Sequence, residues 1–357
     1  MPILYSIGIK AYYLLVLLFS LFNKKAKLWI NGRKNWRQKH QVNNSTIKVW
    51  FHFASLGEYE QGKPLLQFYK NNFPNKEIVI TFYSPSGYEV RKSTNLANYI
   101  LYLPLDTKKN AQDFLKIYKP EIAFFNKYEY WFHFFEETNK QAIPLYITSA
   151  IFRENQIFFK FYGGFFRKIL SYVNHFYVQD QNSAKLLNSI GIKNHSITGD
   201  TRFDRVISTA STVTKFEWIQ KLSQNKIIIA GSTWETDHIV LAKTTLAFKK
   251  LNWIIVPHHV DANSIAECRI HFPKAITLTE LLASKQHFTL PTIIIIDQIG
   301  ILRSIYQYAY ISYVGGGFGK DGVHNVLEPA AFGKPVIWGS NDNKYREAIG
   351  LRNIGGG

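Results

Sequence analysis

Residues 308–339, YAYISYVGGGFGKDGVHNVLEPAAFGKPVIWG, constrain what this chain can fold into more than any other stretch. The run 308–314 has the length and the aromatic and β-branched content of a buried strand. Gly315, Gly316, Gly317 and Gly319 then permit tight turns and a close backbone approach that side chains would block. Residues 325–332 suffice for two helical turns, with Leu327, Ala330 and Ala331 available to face a sheet. Gly333 closes that helix ahead of a second strand at 336–338. A glycine loop feeding a helix N-terminus offers backbone N–H groups to an anion, and phosphate is the natural ligand. On this reading Gly316 and Gly317 line the phosphate, and His324 and Asn325 stand where the loop meets the helix. Glu328, one turn in, accepts hydrogen bonds from a ribose diol. The plain alternative is a turn without a ligand. The pattern is neither GxGxxG nor GxxxxGK[ST], which argues against a nicotinamide cofactor or an ATPase.

The same alternation fills most of the chain. Strands are predicted at 47–53, 77–83, 100–103, 122–126, 143–149, 175–179 and 195–198. Helices are predicted at 59–71, 110–118, 130–139 and 182–190, with a basic aromatic helix at 158–170. A second set follows: strands at 226–230, 253–257 and 291–296, helices at 237–249 and 300–307, and a weakly patterned stretch up to 284. Alternating strands and helices are the signature of a parallel α/β sheet covered on both faces. The reading is two Rossmann-like domains, 46–207 and 208–357, joined by a linker that begins at 199–204 and continues into the polar run 208–215. Ligands lodge at the carboxyl ends of such sheets, so a cleft where two of those ends face each other is the expected site.

Residues 4–22 are nearly all apolar, broken only by Lys10 among charged residues, and just long enough to cross a hydrocarbon core. Lys24, Lys25, Lys27, Arg33, Lys34, Arg37 and Lys39 follow, with no acidic residue before Glu58. A basic flank on that side puts the globular body in the cytoplasm, with 1–45 as membrane anchor and juxtamembrane segment. A segment lying in the interface, or a buried helix of a soluble domain, fits the same composition. The net charge is +18, from 43 basic against 25 acidic residues. Such a surface suits nucleic acid, an anionic membrane or a phosphorylated substrate. Aromatic and basic residues interleave at 158–168, but no recognition helix or RNA-binding module accompanies them, so anionic lipid is preferred over nucleic acid. The single cysteine, Cys268, excludes an intrachain disulfide or a cysteine-cluster zinc site.

Glu58 is the first candidate for catalysis. It follows the strand 47–53 and the turn Ala54-Ser55-Leu56-Gly57, and so stands at a helix start beyond a strand's carboxyl end. A partly buried carboxylate there can take a proton from a substrate hydroxyl. It can equally well do no more than satisfy free N–H groups of the helix. Glu60 is the nearest rival. Glu129 follows the strand 122–126 in the same way, and can hold a sugar hydroxyl or brace Glu58. In the second domain, Gly231, Ser232 and Thr233 form a loop after a strand and offer hydroxyls and N–H groups to a phosphate or base. His258 and His259 follow the next strand, and Asn341, Asn343 and Glu347 lie beyond the last. Adjacent histidines chelate poorly, no HExxH occurs, and no metal is expected. No GxSxG motif supports hydrolase chemistry.

Several of these pieces carry a resemblance. FHFASLGE at 51–58, TFYSPSGYE at 81–89, KYEYW at 127–131, TSAIFRENQ at 148–156, GDTRFDRV at 199–206, GSTW at 231–234 and the glycine-rich stretch 315–339 resemble the 3-deoxy-D-manno-octulosonic acid (Kdo) transferase family of lipid A biosynthesis, especially its Bacteroidota branch. Two departures bear on the acceptor side. Lys127 stands where the commoner form has a second acidic residue, and Ser149-Ala150-Ile151 stand for an Asn-Ala-Arg triplet.

The resemblance implies a GT-B enzyme anchored at the cytoplasmic face of a bacterial inner membrane. It would move Kdo from CMP-Kdo to the 6′-hydroxyl of a tetraacylated, bis-phosphorylated glucosamine disaccharide, with inversion and without a bound metal. Glu58 matches the family's general base, and Glu328 would hold the ribose. The loops at 231–233 and 315–328 would bind CMP. Another nucleotide-sugar transferase or an epimerase on the same architecture, and a membrane-attached binding protein without activity, remain open at this stage. The family also runs on beyond residue 357, so the expectation is a truncated second domain whose tail would restrain cleft opening.

Overall fold

The computed structural model describes the chain except for residues 44, 201–202, 204–205, 207–212, 223–224, 285–291, 321 and 344. Much of the expected linker therefore lies outside the described residues, as does the first residue of the expected strand 291–296. The chain forms two compact units, Met1–Arg205 and Val206–Gly357.

The first unit is built on a seven-stranded sheet: β1 (Lys48–Phe53), β2 (Glu77–Phe82), β3 (Tyr99–Tyr102), β4 (Pro120–Asn126), β5 (Leu145–Ala150), β6 (His175–Val178) and β7 (His195–Ile197), in the order β3-β2-β1-β4-β5-β6-β7. Every pairing is parallel. Burial of β1 on both faces explains its sequence, KVWFHF, which has no solvent-facing alternation. Phe51 and Phe53 pack with Phe82 and Phe124 on one face, and Trp50 packs with Phe114, Phe125 and Phe134 on the other. The Trp50 ring lies 4.6 Å from Phe114 and 4.8 Å from Phe125. Such ring pairs add about 0.5–1.5 kcal/mol each beyond their area.

The second unit carries β8 (Ile227–Thr233), β9 (Asn252–Pro257), β10 (Ile276–Thr277), β11 (Ile293–Ile295), β12 (Ile311–Val314) and β13 (Val336–Trp338) in the order β10-β11-β9-β8-β12-β13, again all parallel. The order reverses between β1 and β4 in the first sheet and between β8 and β12 in the second, whose edge strands β10 and β11 also stand out of sequence order.

The structure corrects several local expectations. Residues 158–170 are not one helix: a 3-10 turn Ile157–Phe159 precedes a helix Gly164–Leu170. A Cβ on Gly163 would come 2.0 Å from the Ile157 carbonyl oxygen, so the chain folds back there. The Arg167 guanidinium holds the fold by donating to the Phe158 and Lys160 carbonyls at 3.1 and 2.8 Å. The weakly patterned stretch holds a helix Ala262–His271, capped by Asp261, of which only Cys268 is buried. A helix that buries so little leaves almost no periodic signal. The strand expected from 308 starts at Ile311, because Tyr306–Tyr308 form a 3-10 turn. The helix expected at 325–332 shrinks to Leu327–Ala330.

The apolar N-terminal segment forms a helix, Pro2–Phe19. It is tied to the first unit by its inward residues. The Tyr5 hydroxyl donates to Asp106 at 2.6 Å, Ser6 meets His133 at 2.8 Å, and Tyr12 packs edge-on against Trp29. Ile3, Leu4, Ile7, Leu14, Leu15, Leu18 and Phe19 remain exposed. Arg33 is no solvated flank residue. Its guanidinium lies 3.8 Å over the Trp29 ring and donates to the carbonyls of Leu103, Trp29 and Tyr83, and burial pushes its pKa down to about 9.

Asp106 joins this helix to the sheet. Besides Tyr5, it takes the His133 and Phe134 N–H groups at 3.2 and 3.1 Å, capping the helix Phe132–Lys140. Burial raises its pKa from 3.8 to about 6, and the donors only partly oppose this. A raised carboxyl pKa stabilises the fold below the unfolded value and loses that stabilisation as pH rises through the folded one. The Asp106 contribution should therefore fall by on the order of 3 kcal/mol between roughly pH 4 and 6.5. Denaturant titrations across that range should show a flatter profile for Asp106→Asn; an identical slope would remove Asp106 as the source. At neutral pH, Tyr5→Phe should lower stability by about 1.5–3 kcal/mol, the value of a hydrogen bond to a charged group.

Candidate active site

In the first unit, the chain leaves β1 and β4 at the point where strand order reverses, where an open α/β sheet leaves a crevice. Glu58 lies in the first turn of the helix Leu56–Asn72 and is partly buried. Its carboxylate accepts the Ser55 hydroxyl. The Asn126 side chain, at the end of β4, donates to the Glu58 carbonyl at 2.9 Å and accepts from Thr148 at 3.1 Å. The turn carrying Glu58 is thus pinned to β4 and β5. Its rival Glu60 is engaged by Arg91 at 2.6 Å. Glu129 arrives from the β4 side, after Lys127 turns the chain with a φ of 70°. Its Oε2 accepts Trp131 Nε1 at 2.9 Å and faces His52 Nε2 at 3.3 Å. The two carboxylates therefore rise from the ends of adjacent strands.

In the second unit, the ends of β8 and β12 meet at the other reversal. Residues 231–233 are the bulged end of β8 rather than a loop, with a register shift between Gly231 and Thr233 and a left-handed Ser232 at φ 53°. Thr233 is buried, and its hydroxyl pairs with His238 Nε2 at 2.8 Å. The first three loop glycines answer to packing inside the unit. A Cβ on Gly315 would meet the Ser232 carbonyl oxygen at 2.3 Å, one on Gly317 would meet the Gly339 nitrogen at 2.5 Å, and Gly316 has a φ of 88°. Only the fourth, Gly319, would tolerate a Cβ, its nearest neighbour lying at 3.5 Å. With so short a helix behind it, the loop's attraction for an anion rests on its own N–H groups rather than on a helix terminus.

Asp237, absent from the sequence reading, fastens these pieces. It is fully buried and accepts the N–H groups of Trp234 and Gly316 at 2.9 Å and the Tyr313 hydroxyl at 2.6 Å. From the third position of the helix Glu235–Ala247 it reaches back to the Trp234 N–H; a capping box also needs a side-chain acceptor where Trp234 stands, and an indole offers none, so the sequence carries no such signal. Trp234 also turns its ring toward the histidines. Its Nε1 donates to His324 Nε2 at 2.7 Å, and the His258 ring stacks 4.5 Å from both Trp234 and His324. Partial burial, then His324 and His259, hold the His258 pKa down. Glu328 accepts from Asn325 Nδ2 at 3.1 Å and lies 4.0 Å from Arg303. Asn343 is exposed, and Asn341 pins the glycine loop by donating to the Gly319 carbonyl at 2.7 Å. A cavity of about 300 Å³ opens beside the stack, lined by Trp234, Glu235, His238, His258, His259 and Glu267 among others. Glu235, Glu267 and His271 bring ligand atoms within 4.8 Å of one another. Glu267, however, is already shared by His238 at 3.0 Å and His271 at 3.2 Å.

The comparisons with known proteins follow this division. Residues 30–205 match the family model described as 3-deoxy-D-manno-octulosonic-acid transferase (kdotransferase). A 3-deoxy-D-manno-octulosonic acid transferase from Chlamydia pneumoniae is 27% identical over 315 residues, covering 84% of this chain and 70% of that protein. One from Aquifex aeolicus is 26% identical over 321 residues, covering 88% and 82%. Among solved structures, a UDP-GlcNAc 2-epimerase from Neisseria meningitidis bound to UDP-GlcNAc has a TM-score of 0.57 at 15% identity, covering 85% of this chain and 86% of that one. At that identity the likeness is one of fold, the paired Rossmann-like units of GT-B proteins. With residues 30–205 matching that family model and relatives matched over most of its length, this chain is a glycosyltransferase that resembles the 3-deoxy-D-manno-octulosonic acid transferases.

Proposed function

We propose that the chain transfers Kdo from CMP-Kdo to the 6′-hydroxyl of a tetraacylated, phosphorylated lipid A precursor, with inversion. The observation that carries this reading is the placement of Glu58 at the β1/β4 reversal, on a turn braced by Ser55 and Asn126. Glu58 takes the proton of the attacking hydroxyl, the oxygen bonds to the anomeric carbon, and the bond from that carbon to the CMP phosphate oxygen breaks. The electron pair leaves with CMP as a phosphate monoester. Glu129, held by Trp131 and His52, accepts a hydrogen bond from the acceptor sugar. In the second unit the glycine loop, His258 and His324 receive the phosphate, and Glu328 receives the ribose. An arriving dianion favours the protonated form of His258 and supplies the counter-charge its surroundings withhold. These groups stabilise the leaving charge without a metal ion.

The N-terminal helix supplies the membrane contact in the same proposal. Its inner face is committed to the first unit, while its outer face is largely apolar, interrupted by the exposed Lys10 and followed by Lys24, Lys25 and Lys27. Such a helix lies in the lipid interface beside anionic headgroups, on the cytoplasmic side of the inner membrane. The direct experiment is to incubate purified protein with CMP-Kdo and the lipid precursor and weigh the lipid product. Thermal shifts with CMP but not UDP support the donor; a preference for UDP overturns it.

Glu58→Gln should lower turnover about 10²–10⁴-fold with CMP affinity unchanged, the usual loss on removing a general base. Activity within threefold of wild type would sink that assignment, and Glu60→Gln would be the next variant. Glu328→Ala should weaken CMP binding by about 1.5–3 kcal/mol in calorimetry, and His324→Ala by less. Unchanged CMP affinity in Glu328→Ala would mean that this segment only turns the chain.

A further inference from the structure

His52 is fully buried in β1, a strand otherwise filled with apolar side chains and the buried Lys48. A phenylalanine would pack there, since the ring lies 4.7 Å from Phe125. A buried polar ring is tolerated only when both nitrogens find partners, and both do. His52 Nδ1 lies 2.8 Å from Thr81 Oγ1, and Nε2 lies 3.3 Å from Glu129 Oε2. The far end of the chain of bonds fixes its direction. Trp50 Nε1 can only donate, and it donates to the same Thr81 oxygen at 2.8 Å. The Thr81 hydroxyl hydrogen then has two possible acceptors: His52 Nδ1 at 2.8 Å, or the Phe51 carbonyl at 3.4 Å. The shorter contact takes it. Nδ1 is therefore an acceptor, and the ring proton sits on Nε2, aimed at Glu129. Trp131 Nε1 donates to the same carboxylate oxygen from the other side at 2.9 Å.

We infer that His52 is a positioning residue for the transfer step: locked as its Nε2–H tautomer by Trp50 and Thr81, it aims the Glu129 carboxylate at the acceptor. This rests on the proposed role of Glu129 toward the acceptor hydroxyls. The relay runs through β1 and β2, the two strands whose pairing sets His52 opposite Thr81. The sheet itself therefore sets the carboxylate's direction. With two donors on one oxygen, Glu129 presents its other oxygen to the acceptor sugar.

The test uses two near-isosteres in the full chain. Glutamine places an amide N–H where Nε2 stood, whereas asparagine stops at the position of Nδ1. His52→Gln should keep turnover within about fivefold of wild type, and His52→Asn should lower it at least about 30-fold, by analogy with the roughly 10–100-fold losses on removing a group that orients a metal ligand. Both should leave CMP affinity unchanged in calorimetry. Long-range ¹⁵N–¹H NMR on the wild-type chain, which needs no substrate, should show the Nε2–H tautomer, and Thr81→Val should convert it to a mixture. Equal losses in the Gln and Asn variants, wild-type turnover in both, or an Nδ1–H tautomer overturns the inference. A wild-type chain that forms no Kdo-lipid product instead overturns the proposed function, and the NMR result then decides the relay alone.

Discussion

Parallel pairing is the constraint on which everything else depends. A parallel strand returns only through a crossover, so each sheet is covered on both faces and its connections all leave from the carboxyl edge on the way to the next helix. The order reverses between β1 and β4 in one sheet and between β8 and β12 in the other. At that point two neighbouring connections diverge to opposite faces, and the strand ends are left uncovered between them. In the first unit this gap receives the turns carrying Glu58 and Glu129; in the second it receives the bulge at Gly231–Thr233 and the loop of glycines. The carboxylates and the glycine loop thus stand at equivalent places in two different sheets.

A buried carboxylate braces a helix start in each unit. Asp106 gathers a tyrosine hydroxyl and two N–H groups around one helix start, and Asp237 gathers the same kinds of donor around another. Each joins segments distant in sequence, and each is costly to leave unsatisfied. Asp106 carries burial as a raised pKa, so the docking of the N-terminal helix is tied to pH in a way that the strands are not.

Most strands were legible because burial on both faces leaves long apolar runs such as IVITF in β2 and IIIA in β8. Glu58 and Glu129 were legible because a carboxylate just after such a run has little choice of location. Features governed by contacts between distant segments were not. Nothing in the run of glycines says that Gly317 meets Gly339, or that Gly315 lies on the Ser232 carbonyl. Asp237 looked like an ordinary helix-start residue until Tyr313 and Gly316 arrived from β12. His52 looked like one more strand residue until Thr81 and Glu129 flanked its ring. The helix Ala262–His271 stayed hidden because it buries one side chain, so its pattern carries no periodic imprint.

The contact between Gly317 and Gly339 has a consequence for anyone redesigning donor preference. Two backbones meet there with no room for even a methyl group, and Gly315 is equally closed by the end of β8. A library that randomises these positions would return chains that fail to fold, whatever nucleotide is offered. Variation belongs at Phe318, which is 46% exposed, and at Gly319, where the nearest neighbour of an added Cβ lies at 3.5 Å. The innermost loop is closed to substitution, and any diversity in the sugar nucleotide accepted would have to be written in its rim.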